Sequence, residues 1–277
     1  MFKDPLVSVI ITTKNEQDVI KRLLKSLSEQ SYKNIEIILV DNNSTDLTKK
    51  IAFAFTDKVF NFGPERSAQR NYGAGKSKGK YLLFLDADMR LSKNVIRECI
   101  QVVQDAKNLG AIVIPEISEA YTFWERVKAF ERSFYNEKGD PITDAARFFS
   151  KKAFMAGGGY DEGITGPEDW DLPETIRELG FGIGKISASI IHRERISSPF
   201  DLARKKFYYA LRAYKYLSKH KIPMLGPKTI YFLRPVFYKN MDKIFKNPAL
   251  SIGMMIMLSA ELAGGGLGYF LGRMKKL

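Results

Sequence analysis

The stretch that decides the fold is YLLFLDADMRLS, residues 81–92. Its first half is an apolar run typical of a buried strand, and the run ends in Asp86 and Asp88 with one small residue between them. Two carboxylates held this close repel each other unless a hard cation lies between them, and Mg²⁺ or Mn²⁺ bound by few carboxylates and by phosphates suits that arrangement. The pattern predicts a metal and diphosphate site at the end of a strand. The alternative is that both aspartates only cap the following turn.

Two earlier apolar runs also end in polar residues. VSVIITT (7–13) ends in two threonines, and NIEIILVDNNSTD (34–46) turns polar at Asp41. The helical spacing of apolar residues over 14–30 predicts a helix between these two strands. Alternating strands and helices are typical of an α/β sheet with right-handed crossovers. Because ligands bind such sheets outside the carboxyl ends of the strands, we expect Asp41 to accept a hydrogen bond from a base or ribose.

The same pattern continues to about residue 195. The expected elements are a helix over 44–55 capped by Ser44 or Thr45, a strand over 58–61, helices over 65–76 and 92–108, a strand over 111–117, a helix over 120–138, a strand and Gly-rich loop over 144–162, a helix over 168–180 and a last strand over 182–195. We therefore predict a catalytic domain over 1–195 and a separate helical region over 196–277.

Acidic residues also cluster where the helix over 168–180 should begin. Glu168, Asp169 and Asp171 lie in its first turn, where the helix dipole stabilises negative charge. An acidic first turn is common in helices and is the ordinary explanation. The glycines that precede this turn indicate instead a loop that comes close to a ligand.

The excess positive charge of the chain lies at one end. The net charge is +13, and residues 193–277 contain 17 Lys and Arg against 4 Asp and Glu, whereas residues 1–192 are neutral. Such an asymmetry is expected of a protein that binds an anionic surface, either nucleic acid or lipid headgroups. The sequence contains no zinc finger, RNP-type aromatic motif or other recognition signature, so we expect no nucleic-acid partner.

The last third of the chain has features of a membrane-binding region. Residues 200–220 predict a basic amphipathic helix, and 249–272 would extend about 36 Å as a helix against about 30 Å of hydrocarbon. Glu261 lies mid-segment and the glycines at 264–266 would weaken a helix, so we expect a helix or helical hairpin in the membrane interface rather than a clean span. The alternative is that this region packs on the catalytic domain or forms a homo-oligomer interface.

Composition excludes several other classes of protein. With a single cysteine, Cys99, and two histidines, neither an intrachain disulfide nor a Cys- or His-rich metal cluster is possible. The start of the sequence, MFKDPLVSVIITT, lacks the apolar segment of a secretion signal. We therefore expect the catalytic part at the cytoplasmic face of a membrane.

Four segments together resemble a known family. VSVIITTKNE, ILVDNNSTD, SAQRNYGAGKSKGKYLLFLDAD and GGYDEGITGPEDWDLPETIRELGFGI, in this order and spacing, resemble a family 2 inverting glycosyltransferase with the GT-A fold. The resemblance covers about residues 6–192. It implies a Rossmann-like mixed α/β sheet flanked by helices, with the basic and apolar helical region as a membrane-associating extension.

The resemblance also implies roles for individual residues. On the donor side, Thr12 and Asp41 match residues that contact the nucleotide base, and Asn15 and Glu16 complete the first loop. Arg70 matches the arginine of an R-N-x-G segment near the base and diphosphate.

For the metal and the acceptor, Asp88 matches the firmer metal ligand of the D-x-D pair, and Asp86 lies nearer the ribose while remaining a possible ligand. Asp169 matches the general base that deprotonates the acceptor, with Glu168 and Trp170 on the acceptor side. His192 resembles a late histidine that reaches the metal or diphosphate, although a buried structural histidine is the alternative.

The implied reaction is a single inverting displacement that uses Mn²⁺ or Mg²⁺. The donor is a nucleotide sugar, with UDP preferred to GDP, and the acceptor is a polyprenyl phosphate or lipid-linked saccharide at an anionic membrane surface. The other acceptors considered are a soluble polysaccharide and a protein-linked glycan. A sugar nucleotidyltransferase should carry a Gly-, Arg- and Lys-rich loop after the first strand, where this chain has TTKNEQ. A non-catalytic membrane scaffold would lose the acids that this chain keeps.

Overall fold

A computed structural model of the protein describes residues 4–106, 108–136, 140 and 145–275. The chain forms two compact units. Unit 1 comprises Met1–Pro115, Ala145–Glu162 and Asp169–His192, and unit 2 comprises Glu116–Asp144, Gly163–Glu168 and Arg193–Leu277. Unit 2 contains the last segment of the chain and also two earlier segments. The predicted domain boundary at residue 195 remains a prediction.

The helices and strands follow one another along the chain in this order. They are β1 (Val7–Thr13), α1 (Ile20–Ser28), β2 (Ile35–Asp41), α2 (Thr48–Phe53), β3 (Val59–Asn61), α3 (Arg66–Lys76), β4 (Tyr81–Asp86), β5 (Met89–Leu91), α4 (Val95–Asp105), β6 (Leu109–Val113), β7 (Glu116–Glu119), α5 (Phe123–Arg132), β8 (Ala146–Ser150), α6 (Lys151–Ala156), α7 (Glu168–Glu178), β9 (Gly182–Lys185), β10 (Ile190–Arg193), α8 (Pro199–Lys219), α9 (Pro235–Tyr238), α10 (Met241–Lys246) and α11 (Pro248–Lys275).

Unit 1 is built on a seven-stranded sheet in the order β3-β2-β1-β4-β8-β6-β9. β1 lies parallel to β2 and β4, whereas β8 runs antiparallel to β4 and β6. The register sets Thr13 beside Asp41 and Thr12 beside Asp86. The mixed α/β sheet expected from the sequence is confirmed, and the polar ends of three parallel strands meet at one edge.

The alternation of side chains along β1 explains why helices cover both faces of this sheet. Val9 and Ile11 pack with the buried leucines of α1 on one face, and Ile10 packs with Ala74 of α3 on the other. Because successive side chains of a strand point to opposite faces, a strand that is apolar throughout must be covered on both sides. Full burial of each such side chain contributes about 1.5–3 kcal/mol.

Local polar contacts change several predicted boundaries. α1 begins at Ile20 rather than near residue 14, because Asn15 adopts a positive φ of 55° and begins a turn. The predicted cap of α2 by Ser44 or Thr45 is wrong: α2 begins after Leu47, and Asp46 accepts a hydrogen bond from the Thr48 amide.

The predicted strands over 111–117 and 182–195 each form two shorter strands, β6 and β7, and β9 and β10. The predicted helix over 120–138 corresponds to α5, which ends at Arg132, and the end of that prediction, residues 137 and 138, lies outside the described residues.

Within the part of the chain that the structure describes, one helix, α11 of unit 2, is long and apolar enough to cross a membrane. It is a single helix of 28 residues rather than a hairpin. Three of its glycines allow the backbone of α8 to come close: a Cβ at Gly264, Gly268 or Gly272 would lie about 2 Å from a carbonyl oxygen of α8. Close approach at small residues every fourth position is a recurrent mode of helix packing.

A buried charge cluster joins three helices of unit 2. Lys128 of α5 donates hydrogen bonds to Glu131 and to Glu261 of α11, the latter at 2.7 Å, and Lys206 of α8 lies 3.1 Å from the other oxygen of Glu261. Burial alone would raise the pKa of Glu261, but the two ammonium groups lower it to about 2. Glu261 is therefore ionised at neutral pH and paired inside the unit.

Two glycines of α3 provide a matched test of its packing on the sheet. An added Cβ at Gly73 would lie 2.6 Å from Cγ2 of Ile10, whereas nothing lies within 4 Å of one at Gly75. We expect Gly73→Ala to lower the free energy of unfolding by about 1–3 kcal/mol through overpacking. Gly75→Ala should raise it by up to about 1 kcal/mol, because alanine favours the helix. Urea denaturation of both variants measures this, and equal effects would contradict the packing described.

Candidate active site

Asp41 organises the carboxyl ends of β1 and β2. Its side chain is fully buried and accepts hydrogen bonds from Thr13 Oγ1 at 2.8 Å, from the Ser44 amide at 2.7 Å and from Ser44 Oγ at 2.5 Å. Three donors satisfy much of the capacity of a buried carboxylate. In this structure Asp41 holds the loop after β2, and its contact with a base remains a prediction.

The loops after β1 and β2 are joined by further hydrogen bonds. The Asn15 amide donates to Ser44 Oγ at 2.7 Å, and Asn15 Oδ1 accepts from the Thr45 amide at 2.9 Å. The Glu16 amide donates to Thr48 Oγ1 at 2.8 Å. The residues predicted for the donor side therefore lie on one cross-linked rim, next to the buried end of β1 that carries Thr12.

Gln69 closes the end of the sheet from the side of α3, and the sequence analysis did not identify it. Its Nε2 donates to the carbonyl oxygens of Val40 at 2.8 Å and of Thr13 at 3.2 Å. These carbonyls belong to the last two residues of β2 and β1, at the carboxyl edge of the sheet. The run of polar residues Gln69, Arg70 and Asn71 in a helix was the sequence feature that could have indicated its role.

Arg70 joins two acids that are far apart in the sequence. Its guanidinium is fully buried, and it donates from Nη1 to Asp169 Oδ1 at 2.6 Å and from Nη2 to Asp86 Oδ1 at 3.0 Å. The ring of Tyr160 lies against the same guanidinium, at 4.9 Å from Cζ to the ring centroid. The structure thus brings Arg70, Asp86 and Asp169 together, as expected, but with Arg70 directed at the two acids.

Arg147 of β8 is a second cation at Asp86 that the sequence analysis missed. Its Nη1 lies 3.5 Å from Asp86 Oδ2, and its side chain is buried. Burial alone would raise the pKa of Asp86, but Arg70, Arg147 and Arg66 hold the pKa of that carboxyl well below its usual range. Asp86 is therefore a fixed anion with a guanidinium beside each oxygen.

Asp88 and His192 lie together where β5 pairs with β10, two strands that do not belong to the seven-stranded sheet. β5 and β10 pair in antiparallel register with Met89 beside His192, and His192 Nε2 lies 3.4 Å from Asp88 Oδ1. Among the described residues, no group of three or more His, Cys, Asp or Glu side chains converges as a metal site. An imidazole and one carboxylate fit Mn²⁺ or Mg²⁺ if substrate phosphates supply other ligands.

Asn71 holds the Gly-rich loop to α3 and was also missed. Its amide group donates to the Tyr160 carbonyl at 2.8 Å and accepts from the Tyr160 amide at 2.9 Å. Gly159, at φ 76°, lies so close to Asn71 that a Cβ there would be 2.7 Å from Oδ1. This pair sets the ring of Tyr160 under Arg70.

The predicted acceptor-side residues lie at the start of α7. Glu168 is buried, and Trp170 and Asp169 are partly exposed. The roles assigned to Glu168 and Trp170 remain predictions.

In α/β proteins with such a sheet, ligands bind outside the carboxyl ends of the parallel strands, where the acids of this chain lie. This chain belongs to glycosyl transferase family 2, whose model matches residues 8–158, more than half of its length.

Two relatives illustrate how far the sequence similarity extends. An uncharacterized glycosyltransferase of Rickettsia typhi is 33% identical over 139 residues, which are 49% of this chain and 42% of the relative. An uncharacterized glycosyltransferase of Haemophilus influenzae is 25% identical over 235 residues, 78% of this chain and 77% of the relative. The chain thus spans less than half the length of the first relative.

Two solved structures share the fold. S. aureus TarS 1–349 in complex with UDP has a TM-score of 0.57 at 16% identity, covering 97% of this chain and 91% of that one. Mannosyltransferase PcManGT from Pyrobaculum calidifontis, in complex with GDP-Man and Mn²⁺, has a TM-score of 0.58 at 16% identity, covering 94% and 74%. These likenesses confirm the GT-A fold expected from the sequence.

The role of Asp41 can be tested through Thr13. We expect Thr13→Val to lower the free energy of unfolding by about 1–3 kcal/mol, because a buried carboxylate loses a hydrogen-bond donor while the side-chain volume is kept. Thr13→Ser retains the hydroxyl and should cost less than the valine variant. Chemical denaturation compares the two, and a valine variant as stable as the wild type would contradict the role described.

Proposed function

We propose that this protein is a metal-dependent inverting glycosyltransferase. It transfers a sugar from a nucleoside-diphosphate donor, UDP in preference to GDP, to a polyprenyl phosphate or lipid-linked saccharide at the cytoplasmic face of a membrane. The observation that best supports the proposal is that the guanidinium of Arg70 pairs with two acids at once. These acids are Asp169, the predicted base, and Asp86, which is predicted for the donor side.

The donor would bind at the rim formed by the ends of β1, β2 and β4. Thr12, Asn15, Glu16 and Asp41 are the proposed contacts for the base and ribose, and the hydrogen bonds between the two loops hold that rim in one shape. Structures that share the fold support this class of donor, since one contains UDP and another GDP-Man with Mn²⁺.

Asp88 and His192 are the residues that would hold the metal. Asp86 is the weaker candidate, because guanidinium groups already lie beside both of its oxygens. When bound, a divalent cation neutralises the charge that grows on the departing diphosphate. We propose that Asp86 acts mainly by fixing Arg70 and by contacting the ribose.

Asp169 would act as the general base. It takes the proton from the acceptor hydroxyl as the acceptor oxygen forms a bond to the anomeric carbon, and the bond from that carbon to the diphosphate oxygen breaks on the opposite face. Arg70 fixes the direction of the Asp169 carboxylate through Oδ1. An acceptor that is itself a phosphate is already anionic and would depend less on this base.

The base assignment predicts a split between transfer and donor binding. Asp169→Asn should lower the rate of transfer to a hydroxyl acceptor by at least about 100-fold, because general-base catalysis contributes roughly that much or more. The dissociation constant for the donor should change little. Glu178→Gln, an exposed acid on the same helix, is the matched control. Turnover that is unchanged in Asp169→Asn would exclude Asp169 as the base.

The metal assignment predicts a loss of Mn²⁺ affinity that is separate from activity. We expect His192→Phe to weaken Mn²⁺ binding by about tenfold or more in the presence of UDP, since it removes one of few protein ligands. His220→Phe changes the other histidine of the chain and should leave the affinity unchanged. Electron paramagnetic resonance of free Mn²⁺ measures both, and equal affinities would refute the assignment of His192.

A further inference from the structure

We infer that α11 lies in the plane of an anionic membrane surface, with one apolar face in the acyl region, and does not cross the bilayer. The inference deepens the proposed function by naming the partner of unit 2, and it rests on that function only for the membrane location of the acceptor.

One face of α11 is both exposed and apolar. At 3.6 residues per turn, its exposed large side chains fall on one side of the helix. They include Ile252, Met255, Ile256, Leu262, Leu267 and Phe270. From the first to the last of them the helix rises about 27 Å. Between Lys246 and Arg273 the sequence contains only one charged residue, Glu261, which is buried on another side of the helix. Water-soluble proteins rarely expose a continuous apolar surface of this extent.

Protein contacts occupy other sides of α11. Near its middle, Glu261 pairs with Lys128 of α5 and Lys206 of α8. Beyond the middle, Gly264, Gly268 and Gly272 lie against the backbone of α8. A helix that crosses a bilayer alone would have to leave these partners and place an ionised Glu261 in hydrocarbon.

Nor can α11 cross together with α8. Gly264 lies against Ala203 and Gly268 against Phe207, so the two helices run parallel and the first half of α8 lies beside the centre of α11. That part of α8 carries Arg204 and Lys205, both exposed. A transmembrane arrangement would bring these cations to mid-bilayer depth, whereas an in-plane arrangement lets their long side chains reach the headgroups.

The excess positive charge of unit 2 favours an anionic surface as its partner. Exposed cations include Arg204, Lys205, Lys239, Lys246 and Arg273. Among residues 193–275, Asp242 is the only acid that is exposed. Anionic lipid headgroups complement this charge. A second copy of the chain on the same apolar face would bring like charges together, so we favour the membrane over a homo-oligomer.

Vesicle flotation with a matched pair of variants tests whether the exposed apolar face of α11 binds the membrane. Phe270 and Phe53 are both exposed, at 62% and 60%, but Phe53 lies on α2 in unit 1. We expect the full-length protein to float with vesicles of phosphatidylglycerol and phosphatidylcholine. Phe270→Glu should lower the partition coefficient at least tenfold, and Phe53→Glu should leave it unchanged.

Labelling at the two ends of α11 tests its orientation. Cysteines are introduced singly at Ala249 and Met274, which are exposed, while the native Cys99 is buried. With protein added outside sealed vesicles, an in-plane helix leaves both ends open to a membrane-impermeant maleimide. Protection of one end only would mean that α11 crosses the bilayer and would overturn the inference.

Other outcomes are equally decisive. Folded protein that does not bind anionic vesicles would overturn the inference, as would a Phe270→Glu variant that keeps vesicle binding but changes from dimer to monomer in sedimentation. Release of nucleoside diphosphate from a soluble donor is measured in parallel. Vesicle binding without any such release would refute the proposed function and leave this inference standing.

Discussion

The candidate site in unit 1 depends on the pairing of the buried Arg70 guanidinium with two acids. This guanidinium joins Asp86 at the end of β4 to Asp169 at the start of α7, residues that are 83 positions apart in the sequence. Taking these charges out of water costs several kcal/mol per ion, and only close pairing offsets that cost. Loss of either acid would leave the buried cation with one carboxylate instead of two, so the strand end and the helix are held in one geometry.

The supports of Arg70 extend this constraint into the sheet and the Gly-rich loop. Asn71 fixes Tyr160 beneath the guanidinium through both backbone groups of that tyrosine, and Arg147 holds the second oxygen of Asp86. Gln69, the residue before Arg70, donates hydrogen bonds to the carbonyls of Thr13 at the end of β1 and of Val40 near the end of β2. Three consecutive side chains of α3 therefore connect the ends of two strands, the two acids and the loop at 157–162.

The sequence predicts which acids lie at the edge of the sheet, but it does not predict Arg147 and Asn71, the side chains that hold the site in place. Parallel strands place their carboxyl ends together, so the acids at the ends of β2 and β4 must lie at one edge of the sheet once the strands are recognised. Arg147 and Asn71 act across 61 and 89 positions of sequence, through side chains whose partners only the tertiary fold brings near. The cap predicted at Ser44 failed because its hydroxyl donates to the buried Asp41 and accepts from the Asn15 backbone amide instead of from a helix amide. The packing role of Gly264, Gly268 and Gly272 in α11 cannot be predicted from the local sequence, because their partner is the backbone of α8.

The measurement that tests the central claim most directly is the release of nucleoside diphosphate from a panel of UDP- and GDP-sugars, with and without Mn²⁺ and with and without a polyprenyl phosphate in detergent. We predict release from at least one sugar nucleotide that requires the metal and increases with the lipid acceptor. Failure of folded protein to bind or cleave any member of the panel, with metal and lipid present, would contradict it.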